Sequence, residues 1–210
     1  MSSATRDFSS LAKLWQRDLG PTRLSAFACS LGVTPDALYA LGCGWNGRGC
    51  FSFPMHDQQR RVVGIRLRDA RTGRKFAVKG SREGAFLHDG REQDRLLVVE
   101  GPTDAAAALT LGFDALGRPS CTGAVRITAA LSHGRDVVVI ADADPPGRRG
   151  ANALASTLLP TSRSVRVIEP PTPHKDLRAW LQAGATTAQA QSHIEVHAPR
   201  RLRVRLEVRR

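Results

Sequence analysis

Two short runs in which every residue is apolar, Leu96-Leu97-Val98-Val99 and Val137-Val138-Val139-Ile140-Ala141, constrain the fold more than any other feature of the chain. A strand with one wetted face alternates apolar and polar residues, whereas a strand covered on both faces is apolar throughout. Each run is too short for a helix, and a helical pattern follows it, over 102–111 and over 150–159. Further helical patterns cover 122–132 and 176–182, with one more strand at 165–168. Strands alternating with helices need crossover connections, which are right-handed. The expectation is therefore α/β: a parallel, Rossmann-like sheet with helices on both faces, whose ligands gather at the carboxyl ends of the strands.

Those ends are acidic. Glu100 closes the first run, Asp142 and Asp144 close the second, and Lys175-Asp176 follows the third. Residues i and i+2 of an extended segment project to one side, so Asp142 and Asp144 can face a single ion. Magnesium suits such a site, because it takes a few carboxylate oxygens, keeps several waters and leaves room for phosphates; manganese is the alternative. Simpler roles exist for single members. Asp104 stands in the first turn of its helix, where the dipole alone favours a carboxylate, and Asp142 or Asp144 could cap the next helix.

The rest of the chain is basic, with a net charge of +12, which favours a polyanionic partner such as nucleic acid over an anionic membrane. No apolar stretch reaches the roughly 18 to 20 residues that span a bilayer, and the polar start lacks a signal-peptide core, so a cytoplasmic protein without membrane partners is expected. Cys29, Cys43, Cys50 and Cys121 lack the close pairing of structural zinc sites, and Cys29 reads as a buried small hydrophobe.

Four regions follow from the patterning. Residues 1–45 read as short helices: Leu11, Leu14 and Trp15 share a face, proline opens a second helix at Pro21, and Thr34-Pro35 caps a third that carries Tyr39 in its core. Residues 46–92 read as a small β-rich unit with a turn at 71–74; Val63, Ile65 and Leu67 point one way and Arg66 and Arg68 the other. Residues 93–185 are the α/β unit. From 186 to 210 the chain is a basic tail in which Arg201, Arg203, Arg205 and Arg209 alternate with apolar residues, either a strand or an isolated arm.

Glu100-Gly101-Pro102-Thr103-Asp104, followed by Asp142-Ala143-Asp144-Pro145-Pro146-Gly147 and Gly150, resembles the TOPRIM domain of bacterial-type DNA primases, topoisomerases and some nucleases. The resemblance spans about 94–184. It implies that Glu100 acts as general acid or base, that Asp142 and Asp144 bind magnesium, and that Gly101, Asp104, Gly147 and Gly150 support the motifs. It also gives Asp176 the place of a further metal-binding acid, where primases often show two.

The segment before it, from Phe51 through Arg66, Arg68, Lys75 and Lys79 to Leu87, looks like the basic subdomain that precedes TOPRIM in primases, especially those of phages and mobile elements. By that resemblance Arg66, Arg68, Lys75, Lys79 and Lys175 would hold template and nucleotide phosphates. Tyr39 is the only tyrosine and lies far upstream, which argues against a type IA topoisomerase, and no phosphate loop or zinc ribbon is present. The implied activity is primer synthesis on single-stranded DNA from nucleoside triphosphates, with a replicative helicase as a possible partner. The alternatives are a metal-dependent TOPRIM nuclease, which would use the same acids with water as nucleophile, and a non-catalytic nucleic-acid-binding module.

Overall fold

A computed structural model describes residues 7–90 and 92–200. Three helices come first: α1 (Phe8–Leu19), α2 (Pro21–Leu31) and α3 (Pro35–Ala40). Asp7 caps α1, proline occupies the first turn of α2, and the Thr34 hydroxyl accepts from Ala37 N–H at the start of α3. The Asp7 and Thr34 caps satisfy N–H groups that the helix itself cannot, and proline has no N–H to satisfy. Leu14 is 41% exposed and Tyr39 is 59% exposed, so both lie outside the core expected for them. Cys29 is exposed as well, on the outer side of α2, while Cys43 and Cys50 are buried.

A four-stranded antiparallel sheet follows, in the order β1 (Gly44–Trp45), β2 (Cys50–His56), β3 (Val62–Asp69) and β4 (Lys75–Ala77). Its two faces have different fates. Cys50, Ile65 and Leu67 pack with Phe8 and Ala12 beneath α1. Arg66 and Arg68 lie directly across from Phe53 and Phe51, so they share the face on which those rings join the main core. Phe27 of α2 stacks on Phe51 with ring centres 3.6 Å apart, closing one end of that face. The arginines are consequently half-buried rather than splayed into water.

The second sheet has the order β5-β7-β6-β8-β9, comprising β5 (Phe86–Leu87), β6 (Arg95–Glu100), β7 (Asp114–Arg118), β8 (Asp136–Ile140) and β9 (Ser164–Ile168). Strands β6 to β9 are parallel; β5 joins β7 antiparallel at the edge. Alternate residues of the apolar runs divide between two cores. Leu97, Val99, Val138 and Ile140 pack with the first helices, α4 (Pro102–Thr110) and Leu177 of α7 (Leu177–Gln182). Leu96, Val98, Val137 and Val139 pack with α5 (Val125–Leu131) and α6 (Pro145–Leu158). Helices thus cover both faces, as the continuous apolar runs require.

Several elements depart from the sequence expectation. Strands β1, β5 and β7 were not apparent from periodicity, and α6 begins five residues early because Asp144 caps it ahead of Pro145 and Pro146. The 122–132 pattern shortens to α5, since 119–124 is a loop that reaches positive φ at Ala124. An eighth helix, α8 (Thr187–Glu195), starts on a capping box between Thr186 and Gln189 where a tail was expected. The arginine alternation of 201–210 lies outside the described residues.

Candidate active site

The carboxyl ends of β6, β7 and β8 meet at one edge because these strands are parallel neighbours. Glu100 ends β6 and is half-buried. The chain after β8 turns so that Ala143 N–H donates to the Lys175 carbonyl at 2.7 Å, which ties the loop carrying Asp142 and Asp144 to the loop carrying Asp176. Gly147 is required close by: a Cβ there would stand 2.6 Å from the Asp142 carbonyl oxygen. Glu100, Asp142, Asp144, Asp176 and Asp104 are therefore gathered on one side of the sheet.

Their environments differ. Asp104 is 7% exposed, and its carboxylate accepts from the Arg178 N–H at 3.0 Å. Burial, followed by the proximity of Asp176 and Asp142, pushes its pKa up to about 7 despite that bond. Asp142 is pushed up to about 6, by burial first and then by Glu100, Asp176 and Asp144, with Lys175 opposing. Asp144 caps α6 through Gly147 N–H at 2.8 Å, and Asp176 caps α7 through Ala179 N–H at 2.7 Å. Capping commits one oxygen of each and leaves the other carboxylate oxygen outside the cap.

Repulsion among gathered carboxylates is the condition that a bound cation relieves. Among the described residues no group of three or more His, Cys, Asp or Glu side chains is arranged to hold a metal ion unaided. Magnesium does not need one, because it is held by one or two carboxylates with waters and substrate phosphates completing its shell. The oxygen-only donor set fits that ion.

One arginine of the basic face of the first sheet comes near this cluster. Arg68 is held below its ordinary pKa by burial and then by Arg178, which marks it as a neighbour of the α7 end of the acidic cluster. Lys75 pairs with Arg68 across β3 and β4 and is exposed; Arg66 has a buried Nε without a hydrogen-bond partner. Lys175 is exposed beside Asp176. Lys79 is placed apart from them. It lines a hollow of about 800 Å³ between α1 and the first sheet, with Leu14, Trp15, Arg48 and Phe76, and no member of the acidic cluster reaches that hollow.

Two residues at the acidic edge were missed by sequence reasoning. Arg118 ends β7 directly beside Glu100, and Arg178 stands two residues after Asp176. Only Arg178 had a usable signal, its position in the first turn after a recognised acid.

The fold has solved counterparts. The DnaG primase catalytic domain bound to ssDNA superposes with a TM-score of 0.70 at 19% identity, over 91% of this chain and 80% of that one. The chain has the fold of a primase catalytic core. The E. coli primase catalytic core gives 0.68 at 18% identity, with 90% and 79% of the two chains covered. The primase fragment of the bacteriophage T7 primase-helicase protein gives 0.63 at 19%, covering 79% and 72%. No protein-family model and no curated protein matches the sequence, so the primase-core likeness rests on three-dimensional structure. Among the described residues, no helix of this primase-core fold is long and apolar enough to cross a membrane.

Proposed function

We propose that the chain is a metal-dependent nucleotidyltransferase that synthesises primers on a single-stranded DNA template. The observation that carries the reading is an acidic strand edge beside which Arg68, from the basic sheet face, neighbours Arg178, itself in contact with Asp104 and Asp176. Likeness to primase catalytic cores, one of them bound to ssDNA, supports it. The basic unit, 46–92, and the α/β unit, 93–185, are the two working halves, with 1–45 and 186–210 flanking them.

Asp142 and Asp144 would hold magnesium or manganese, with Glu100 and Asp176 beside them. When bound, such an ion stabilises charge on the phosphoryl oxygens. Arg66, Arg68 and Lys75 hold the phosphates of template and incoming nucleotide, with Lys175 beside the acids; Lys79, in the hollow by α1, would meet only template running beyond the site. Glu100 takes the proton of the primer 3′-hydroxyl. The freed oxygen bonds to the α-phosphorus in line as the bond from that phosphorus to the bridging oxygen breaks, and pyrophosphate leaves. Positioning and charge compensation supply most of the acceleration in such a transfer. A helicase that exposes single strands is the partner this chemistry needs, and the cytoplasm is where it would act.

The test is incubation with single-stranded DNA, labelled ribonucleoside or deoxyribonucleoside triphosphates and Mg2+ or Mn2+, with and without a replicative helicase. Short template-dependent products are expected. Cleavage of the DNA without polymerisation would assign the same acids to a nuclease.

A further inference from the structure

The acidic site carries a buried cation of its own. Arg118 is 5% exposed and stands in register with Glu100 on the adjacent parallel strand. Its guanidinium and Glu100 interact electrostatically, and both line, with Asp142, a cavity of about 20 Å³ under the strand edge. The guanidinium is locked in place by the loop it folds back on: Nε donates to the Gly123 carbonyl and an Nη donates to the Cys121 carbonyl, each at 2.9 Å.

That loop is itself pinned from two directions. Ala124 N–H donates to the Glu83 carboxylate at 2.8 Å, a contact reaching across from the segment before β5. On the other side the Cys121 backbone lies against α6, where a Cβ at Gly150 would stand 2.3 Å from its carbonyl oxygen. A desolvated guanidinium persists only where fixed acceptors and carboxylates compensate it, and the planar fork suits this pinning better than a lysine. At the far end of the cluster Lys175 lowers Asp142, while an Nη of Arg178 stands 3.7 Å from the Asp176 carboxylate. Protein cations thus flank both ends of the cluster, with Asp142 and Asp144 between them.

We propose that Arg118 does the work of a second metal ion: fixed across from Glu100 on the adjacent strand, it offsets the charge of that acid through space, so that the site takes a single divalent cation at Asp142 and Asp144. The activity consequence rests on the primer-synthesis reading; the number of bound cations does not.

Mn2+ is the probe, counted on the full chain by electron paramagnetic resonance and isothermal titration. Wild type is expected to bind one equivalent, which Asp142→Ala removes. Arg118→Gln is expected to take up a second, and Arg118→Lys to stay at one. In primer synthesis the dependence on Mn2+ should change from first order in wild type to second order in Arg118→Gln, a change that loss of packing would not produce. Two equivalents or none in wild type would overturn the proposal, and so would an Arg118→Gln protein that folds but still binds one with unaltered metal order. Should Arg118→Gln fail to fold, the wild-type count and Arg118→Lys decide. One bound Mn2+ with no primer synthesis by wild type would sink the activity reading and leave this proposal standing.

Discussion

Asp104 and Asp114 are both almost fully buried, yet their surroundings drive their carboxyl groups in opposite directions. Asp104 sits among acids at the carboxyl end of the parallel sheet and rises to about 7, through burial and then the nearby Asp176 and Asp142. Asp114 sits at the amino end of β7. Burial works to raise it too, but hydrogen bonds from His88, from Arg135 and from Gln93 N–H outweigh burial and bring it below the ordinary value. His88 contacts one carboxylate oxygen at 2.5 Å, and Arg135 engages the other. His88 Nδ1 accepts from Gly90 N–H, which leaves Nε2 to donate to the aspartate. One end of the sheet is a closed network that holds the fold. At the other, the flanking cations leave Asp104 and Asp142 raised, in the manner of a site that awaits a further cation.

If that contrast is right, substitutions at the two ends have separable effects. The largest is expected at Asp142→Ala: primer synthesis falls about a thousandfold, roughly 4 kcal/mol of transition-state stabilisation, while the melting temperature stays within a few degrees of wild type. Equal loss of stability and activity would erase the distinction. At the closed end Asp114→Ala should lower unfolding free energy by about 3 to 5 kcal/mol, because it strands Arg135 and His88 without their buried partner. Denaturant titration measures this, and a change under 1 kcal/mol would remove the structural role.

The pH dependence of stability separates the ends again. Since Asp114 titrates below its unfolded value, its contribution is complete above the ordinary aspartate pKa of about 3.9 and is lost as the pH falls through the lower folded value. Melting curves of wild type and Asp114→Asn should therefore converge only in strong acid. A smaller effect is expected from Arg66→Ala with Arg68→Ala: weaker binding of single-stranded DNA, and a salt dependence shallower by about 0.7 for each phosphate that the protein no longer neutralises. Smallest is Asp104→Asn, which removes the cost of burying a carboxylate and then its repulsion with Asp176 and Asp142, and should raise stability by about 1 kcal/mol in metal-free buffer, the gain shrinking when Mg2+ is added. A destabilised Asp104→Asn protein would mean that the acid is held by bonds worth more than the repulsion it feels.

The two ends also differ in how far they could be read from sequence. Continuous apolar runs ending in Glu100 and in Asp142 with Asp144 disclose a parallel sheet and its acidic edge, because a strand buried on both faces has no room for polar residues. Strand β7 escaped the same reading. Its five residues, Asp114-Ala115-Leu116-Gly117-Arg118, hold a charge at each end and a glycine, the composition of a turn. Gly117 is there because a Cβ would stand 2.6 Å from the Gly101 carbonyl oxygen, and both charges are satisfied by partners far away in sequence or in the next loop. No local pattern reports such partners. For the same reason the basic face was read as a row of arginines on a strand, while its burial against Phe51 and Phe53 depended on what the sheet packs against. Leu14, Tyr39 and Cys29 err the other way, since helical periodicity marks a shared face without saying whether anything covers it.

Product analysis on single-stranded DNA with labelled nucleoside triphosphates and Mg2+, comparing wild type with Asp142→Ala of equal thermal stability, bears on the whole account. Short template-dependent products from wild type that vanish in the variant are expected. Wild type that makes none in the presence of a helicase, or a variant that makes as many, would contradict it.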